Sequence, residues 1–504
     1  MLKSEETDLF ELISSLKSFE IKAVKRYVES SNLSDKKLVF HVFEIIRRQR
    51  VYDKVELCKK LKVEEFEVAK IKHKIFLVIL QALKSILVKD ASQELIDLML
   101  ELDLLMKHGM FYKANRKLDK IVSIGELRCE YDICLWAIKK AIRQGLFAHV
   151  SFKHTHLMDS AYAKIKSLEE KSLELNAYEN LSDQVLLLHY EFLDRRIENR
   201  NEILRFLEHP LLLGKKKFHS ILSEFYYYRI KSIVYLGDNN YVESRIHSLK
   251  ALAYIKSVKN KNRDDFSKTF NSINNYLDAS LHLEDTTAYN EMIGKMDQLI
   301  EEGRSSLSLA NKAIAFQMRL SCNLNYLWLI KDHNTFIKNF ENYRQIYLDC
   351  APFYRPNIAA EILLGFSKLF FLAKAYDQAH NYCLELMDTQ KKNPTTLILC
   401  CCNILRVIIN YELGNLQAIN YIIQSSKYFL KTRNRYFAIE GIFFSGLSKV
   451  KSYQSSSEKL KLFQNLHSSL SKVSAQSEER VVDKMIGLTD WVAQKASGTK
   501  VSEK

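Results

Sequence analysis

Histidine and acidic side chains that could together hold a metal ion occur close to one another at one place in this sequence. His149, His154, His156 and Asp159 lie within one short segment. Spacings of five and two residues do not put these histidines on one face of a helix, whereas a zinc-peptidase pattern needs two histidines four residues apart. We therefore expect no metal site in this segment and no bound cofactor elsewhere in the chain.

Cysteine is the second residue type that could carry chemistry. The sequence has nine cysteines, and three of them are consecutive, Cys400, Cys401 and Cys402. Successive residues of a helix point about 100° apart, so the triplet cannot converge on one metal ion. No Cys-x-x-Cys pair occurs either. The pattern indicates small buried side chains in a reducing compartment.

Catalytic motifs are missing from the sequence. It contains no Gly-rich phosphate loop, no nucleophile elbow and no paired-carboxylate motif. We therefore expect a protein that is not an enzyme.

Residues 52–75 have the spacing of a helix-turn-helix, the motif that places a recognition helix in the DNA major groove. The small residue Cys58 stands where the first helix would pack, and Lys70, Lys72 and Lys74 could contact phosphates. Against DNA binding, Lys62 stands where the turn usually has Gly, and the leading edge of the second helix is acidic, with Glu64, Glu65 and Glu67. Two interpretations remain open: a helical capping unit, which the carboxylates favour, and a nucleic-acid-binding unit.

The basic charge of the chain is spread thinly. The net charge is +15, but residues 1–100 hold 19 Lys and Arg against 16 Asp and Glu. A nucleic-acid surface needs several basic groups on one face. The charge balance therefore favours a protein or peptide over a nucleic acid as the expected partner.

Helical segments end at a recurring turn, and these segments must position whatever site the chain has. Each turn separates two apolar helical segments, and the leading apolar residues of the turns are 47, 47, 42 and 41 residues apart. The turns are Leu236–Asp238, Leu283–Asp285, Ile330–Asp332, Leu372–Lys374 and Leu413–Asn415. Such a period is typical of stacked helical hairpins that bury their apolar faces against their neighbours.

Composition agrees with a helical chain. Only 13 Gly and 4 Pro occur in 504 residues, too few for the tight turns of a sheet-rich protein. The start of the sequence is polar, and no uncharged apolar stretch of about 18 residues occurs, so we expect a cytoplasmic protein without a membrane span.

The turn sequences resemble the tetratricopeptide repeat. Ser367, Lys374, Tyr376 and Ala379 stand at the positions where that repeat has a small residue, a turn residue, an aromatic residue and Ala. The steps between turns exceed the usual repeat of about 34 residues, which implies longer helices. The chain also resembles Bacteroidetes proteins of similar length that have no assigned function.

The resemblance implies an all-α fold, an α-solenoid of tetratricopeptide-like hairpins preceded by an N-terminal helical block. The expected divisions are the block at residues 1–90, the solenoid at 91–490 and a frayed tail at 491–504. In such arrays the first helix of each hairpin lines the binding groove. The implied groove residues are Glu361, Leu364, Lys368 and Phe371 in one repeat and Glu224, Tyr227 and Lys231 in an earlier one.

Two functions follow from these patterns. The first is a non-catalytic scaffold that binds a protein or peptide through the repeat surface. The alternative is a regulator in which the N-terminal block binds nucleic acid and the repeats sense a partner.

Overall fold

The computed structural model shows an all-α chain, and all the regular structure in its described residues is helical. The residues that it describes are 8–16, 18–30, 36–49, 53–61, 65–86, 91–146, 154–195, 200–214, 217–257, 263–303, 309–350, 353, 356–389, 396–432, 436–453, 455–474 and 480–497. They belong to two compact units, Met1–Asp97 and Leu98–Lys504. The division between the units falls seven residues beyond the boundary expected from the sequence.

The first unit is a cluster of short helices around its own apolar core. Its helices are α1 (Asp8–Ser15), α2 (Ser18–Ser30), α3 (Lys36–Arg48), α4 (Lys54–Leu61) and α5 (Glu65–Ile86). In α3 the buried residues Val39, Val42, Phe43 and Ile46 recur at helical spacing, so one face of the helix enters the core. The same core includes Leu57 of α4 and residues of α5.

The helices that follow are arranged in successive pairs. They are α6 (Ala91–Lys107), α7 (Phe111–Leu127), α8 (Tyr131–Arg143), α9 (His154–Arg195), α10 (Arg200–Arg205), α11 (Ile221–Gly237), α12 (Tyr241–Ser257), α13 (Arg263–His282), α14 (Thr286–Gly303), α15 (Leu309–Leu329), α16 (His333–Asp349), α17 (Pro356–Leu372), α18 (Tyr376–Thr389), α19 (Thr396–Glu412), α20 (Leu416–Lys431), α21 (Ala438–Leu447), α22 (Ser456–Ser474), α23 (Arg480–Ile486) and α24 (Leu488–Ala496). From α11 to α20 they form five consecutive hairpins, as expected for an α-solenoid.

The five turns predicted from the sequence all connect the two helices of a hairpin, which confirms that part of the prediction. Each connection has one residue in the left-handed region: Asn239, Glu284, Lys331, Lys374 and Gly414. In the first connection this residue directly follows the predicted turn. In the fourth turn, the Ala375 N–H donates to the Phe370 carbonyl and the Lys374 N–H to the Phe371 carbonyl. This pair of bonds is the Schellman motif, which satisfies carbonyls at the end of a helix.

Small residues let the two helices of a hairpin pack closely. The Ser367 hydroxyl donates to the Ala379 carbonyl at 2.8 Å, and the Ser244 hydroxyl donates to the Ser232 carbonyl at 2.9 Å. All four residues are buried. The first helices also contact one another, α13 with α15, α15 with α17 and α17 with α19, so the stacked hairpins present a first-helix face.

The last two helices, α23 and α24, return to this face. The Trp491 indole donates to the Glu412 carboxylate at 2.6 Å, and its ring contacts Tyr411, Phe443 and Phe463. Trp491 and Val492 are buried. Helical structure therefore continues to Ala496, inside the segment that the sequence assigned to the tail.

Within the described residues, no helix combines the length and the apolar character that a bilayer span requires.

Candidate functional site

Three positions of each first helix recur on one face when residues are counted back from the left-handed turn residue. Positions 3, 6 and 10 before that residue are separated by three and four residues, which places them on one side of a helix. In α13 they are Leu281, Asp278 and Asn274; in α15, Trp328, Asn325 and Ser321; in α17, Phe371, Lys368 and Leu364. Eight of these nine residues line one cavity, and Phe371 is the exception.

This cavity has a volume of about 470 Å³ and lies between the first-helix face and the C-terminal segment. The segment contributes Lys484, Met485, Gly487 and Asp490 to the wall. Gly487 has a φ of 65°, and a side chain there would lie 3.4 Å from the ring of Trp328. The volume falls in the range of about 300–1,000 Å³ that is typical of ligand pockets.

One side of the cavity is acidic. Glu361 lies one turn before Leu364 on α17, and its carboxylate accepts a hydrogen bond of 3.0 Å from the Ser321 hydroxyl. Asp278 faces the same space from α13. Both side chains are exposed, but the protein packed around them removes part of their hydration. This desolvation raises the pKa of Asp278 to about 6 and that of Glu361 to about 7, and mutual repulsion adds to the rise at Glu361.

Three lysines, Lys331, Lys368 and Lys484, lie on the other side of the cavity, where the wall also includes the carboxylates of Glu284, Asp483 and Asp490. Lys368 is only 4% exposed, and desolvation lowers its pKa to about 8. Its ammonium group lies 5.0 Å from the centre of the Trp328 ring, and that of Lys331 lies 4.4 Å from it. From the C-terminal segment, the Lys484 ammonium donates to the His282 carbonyl at 2.8 Å and lies 3.5 Å from the Glu284 carboxylate. The arrangement could hold a ligand that carries charges of both signs.

The residues predicted from the later repeat, Glu361, Leu364 and Lys368, line the cavity together. Phe371, the fourth, packs against Tyr376 with ring centres 5.6 Å apart.

The residues predicted from the earlier repeat lie elsewhere on their helix. The left-handed residues Asn239 and Lys374 give an offset of 135 residues between the two repeats, whereas the sequence comparison used 137. Two residues correspond to about 200° around a helix. Glu224 and Lys231 are half-buried on α11; Glu224 bonds to Tyr254 of α12, and the Lys231 ammonium lies 4.6 Å from the centre of the half-buried Tyr227 ring. The role of these three residues in binding stays a prediction.

Sequence reasoning missed Asp278, Ser321 and Trp328. The predicted turns carried only part of the signal, because the left-handed residue is second in Leu283–Asp285 and Ile330–Asp332 but third in Leu372–Lys374. The register that puts these three residues beside Leu364 and Lys368 therefore depends on the backbone conformation of each turn. Lys484 had no comparable signal, because its place depends on how the C-terminal segment folds back.

The predicted helix-turn-helix falls on α4 and α5, and its turn at residues 62–64 lies outside the described residues. Cys58 is half-buried beside the core and Val68 is buried in it. Lys72 and Lys74 are half-buried and Lys70 is exposed, and each of the three already has a contact within the protein. Nucleic-acid binding by this segment stays a prediction.

Of the four residues considered and rejected as metal ligands, His149 lies outside the described residues, and His154, His156 and Asp159 belong to α9. No group of three or more metal-ligand side chains comes together in the part of the chain that the structure describes. All nine cysteines are free thiols, and seven of them are buried, as the sequence indicated.

No protein-family model matches the chain, and no curated protein matches it significantly.

Proposed function

We propose that this chain is a non-catalytic scaffold that binds a peptide, or a peptide segment of a partner protein, through its first-helix face. The proposal includes the tetratricopeptide-like character of the hairpins and a cytoplasmic location, which were expected from the sequence. The observation that carries it is the cavity, because equivalent positions of three successive hairpins, α13, α15 and α17, converge on it.

The chemistry of the cavity suits a peptide better than a purely apolar ligand. Trp328 and Leu364 offer apolar surface, Asn274 and Asn325 offer hydrogen-bonding groups, and charged groups of both signs surround them. Peptides bring apolar side chains, amides and charges together, so each kind of group in the cavity has a complement.

Selection of peptides by the immobilised full-length chain tests this proposal. A random peptide display library should yield sequences that bind the purified protein, and calorimetry should then measure their affinities. Asn325→Trp places a bulky ring in the cavity and should weaken binding at least tenfold. Gln378→Trp, at an exposed position of the second helix α18, is the matched control and should bind as the wild type does.

A second pair of variants tests whether the peptide binds in the cavity or on α11. Lys368→Met removes a charge from the cavity, and Lys231→Met removes one from α11. Weaker binding by the first variant alone supports the proposal. Weaker binding by Lys231→Met alone, or equal binding by all variants, contradicts it, and so does a failure to select any peptide. Circular dichroism melting curves check that each variant is folded.

A further inference from the structure

The charged groups of α17 set a length for the ligand. Glu361 and Lys368 are seven residues apart on this helix and both line the cavity, with Leu364 between them. At 1.5 Å per residue, their Cα atoms are separated by about 10 Å. A ligand that reaches both groups must therefore carry its own charges several ångströms apart.

The acidic end of the cavity is ready to accept a cation. Among the described residues, Asp278 forms no hydrogen bond or ion pair, and the hydroxyl of Ser321 is the hydrogen-bond donor found for Glu361. Two carboxylates that face the same confined space repel each other, and an ammonium group between them would remove the repulsion and supply hydrogen-bond donors. Their exposure inside the cavity leaves them accessible to a ligand.

The basic end of the cavity is ready to accept an anion. Lys368 is 4% exposed and lines the cavity, and within the described part of the chain its ammonium group contacts the Trp328 ring without an oxygen acceptor. A buried ammonium group without an acceptor is costly, so a carboxylate beside it would be strongly favoured. Lys331 and Lys484 lie on the same side, but each is paired with a carboxylate there: Lys331 lies 3.9 Å from Asp490 and Lys484 lies 3.5 Å from Glu284. Of the lysines that the structure describes on this side, Lys368 is therefore the one whose ammonium group is left for a ligand.

We propose that the cavity binds a short peptide of two or three residues with free termini, its amino group at Asp278 and Glu361 and its carboxylate at Lys368. This inference rests on the proposed peptide-binding function and specifies its ligand. Two or three extended residues span about 7–11 Å, which matches the separation along α17, whereas a single amino acid spans about 3.5 Å. A diamine would place a second cation against the lysines. Side chains of the peptide would lie over Leu364 and Trp328.

Titration calorimetry with alanyl-leucine and alanyl-alanyl-leucine tests the proposal on the full-length protein. Each peptide is compared with its N-acetylated form and with its C-terminal amide. At least one of the unmodified peptides should bind, and either modification should weaken binding at least tenfold, because each leaves a charged group of the cavity without its partner. Equal affinity of the free and capped forms would overturn the proposal.

Variants assign the two ends of the peptide. Lys368→Met should reduce the preference for the carboxylate over the amide and leave the preference for the free amine intact. The double substitution Asp278→Asn with Glu361→Gln should do the reverse. Lys331→Met tests the basic end at an exposed position and should weaken carboxylate binding even if Lys368→Met fails to fold. Lys231→Met, on α11, is the control and should change neither preference.

The outcome also separates this inference from the proposed function. If library-selected longer peptides depend on the cavity while neither short peptide binds, the terminal recognition is wrong and the scaffold function stands. If no peptide of any length binds, both are wrong. If Lys368→Met reduces the preference for the free amine, or the double substitution reduces the preference for the carboxylate, the proposed orientation of the peptide is wrong.

Discussion

Asp278 and Glu361 make the cavity sensitive to pH. Desolvation raises the pKa of Glu361 to about 7 from an ordinary value of 4.5, and that of Asp278 to about 6 from 3.8. The folded chain therefore holds these protons more tightly than the unfolded chain does. The contribution of each group to stability is fully present below its unfolded pKa and is lost as the pH rises through its folded pKa.

Glu361→Gln should therefore stabilise the folded protein in a pH-dependent way. Relative to the wild type, the melting temperature of the variant should rise between about pH 4.5 and pH 7 and then level off, because Gln does not ionise. Scanning calorimetry from pH 4 to pH 8 measures this difference. Glu291→Gln, at an exposed position of α14, controls for surface substitution, and a difference that shrinks with rising pH would contradict the assignment.

The first helix of each hairpin ends in a Schellman turn, and these turns recur at similar intervals along the chain. The left-handed residues occur at intervals of 45, 47, 43 and 40 residues, so the hairpins keep a similar register although their lengths differ. Four of the five positions hold a residue other than Gly. The left-handed conformation costs such residues about 1 kcal/mol, which the stacked hairpins offset.

Substitutions at two glycines should separate backbone conformation from packing. Gly414 has a φ of 73° and Gly294 lies within α14, and at both positions an added Cβ would meet no atom within 4 Å. Gly414→Ala should lower the free energy of unfolding by about 1 kcal/mol because of its left-handed backbone. Gly294→Ala should raise it by about 0.5–1 kcal/mol because Ala favours the helix. Urea denaturation midpoints measure both, and shifts of the same sign would refute the explanation.

Lys374→Gly, at an equivalent turn, should stabilise the protein, whereas Gly414→Ala should destabilise it. Lys374 has a φ of 61° and an exposed side chain, so Gly should raise the free energy of unfolding by about 1 kcal/mol. Lys374→Ala, which keeps the strained backbone, is the control and should give no comparable gain in the same urea measurement.

At the scale of the molecule, the C-terminal segment makes contacts that a simple repeat array does not have. In such an array each repeat contacts its neighbours along the chain. Here Lys484 bonds to His282, Gly487 lies beside Trp328, and Trp491 packs against Phe443. The segment therefore links the fourth and third hairpins from the end, α13–α14 and α15–α16, to α21, which follows the last hairpin.

Deletion of residues 480–504 should consequently loosen the hairpins that the segment joins. Hydrogen exchange should accelerate in α13, α15, α17 and α19, because their first-helix face loses a packed layer. The helices α2 and α3 of the first unit should exchange as before. Mass spectrometry of peptide fragments measures this. Lys484→Met removes the polar contacts to His282 and Glu284 but keeps the apolar contacts of the segment, so it should have a much smaller effect. Unchanged exchange after the deletion would show that the segment contributes little to stability.

The all-α class and the positions of the five hairpin turns could be predicted from the sequence, because helix ends depend on local hydrogen bonds and on residues within a few positions. The sequence also indicated the buried cysteines and three of the cavity residues on α17. That Asp278 and Glu361 share one cavity, and that Lys484 helps to enclose it, could not be predicted from the sequence. These residues are far apart in the chain, and only the packing of successive hairpins and of the returning C-terminal segment brings them together.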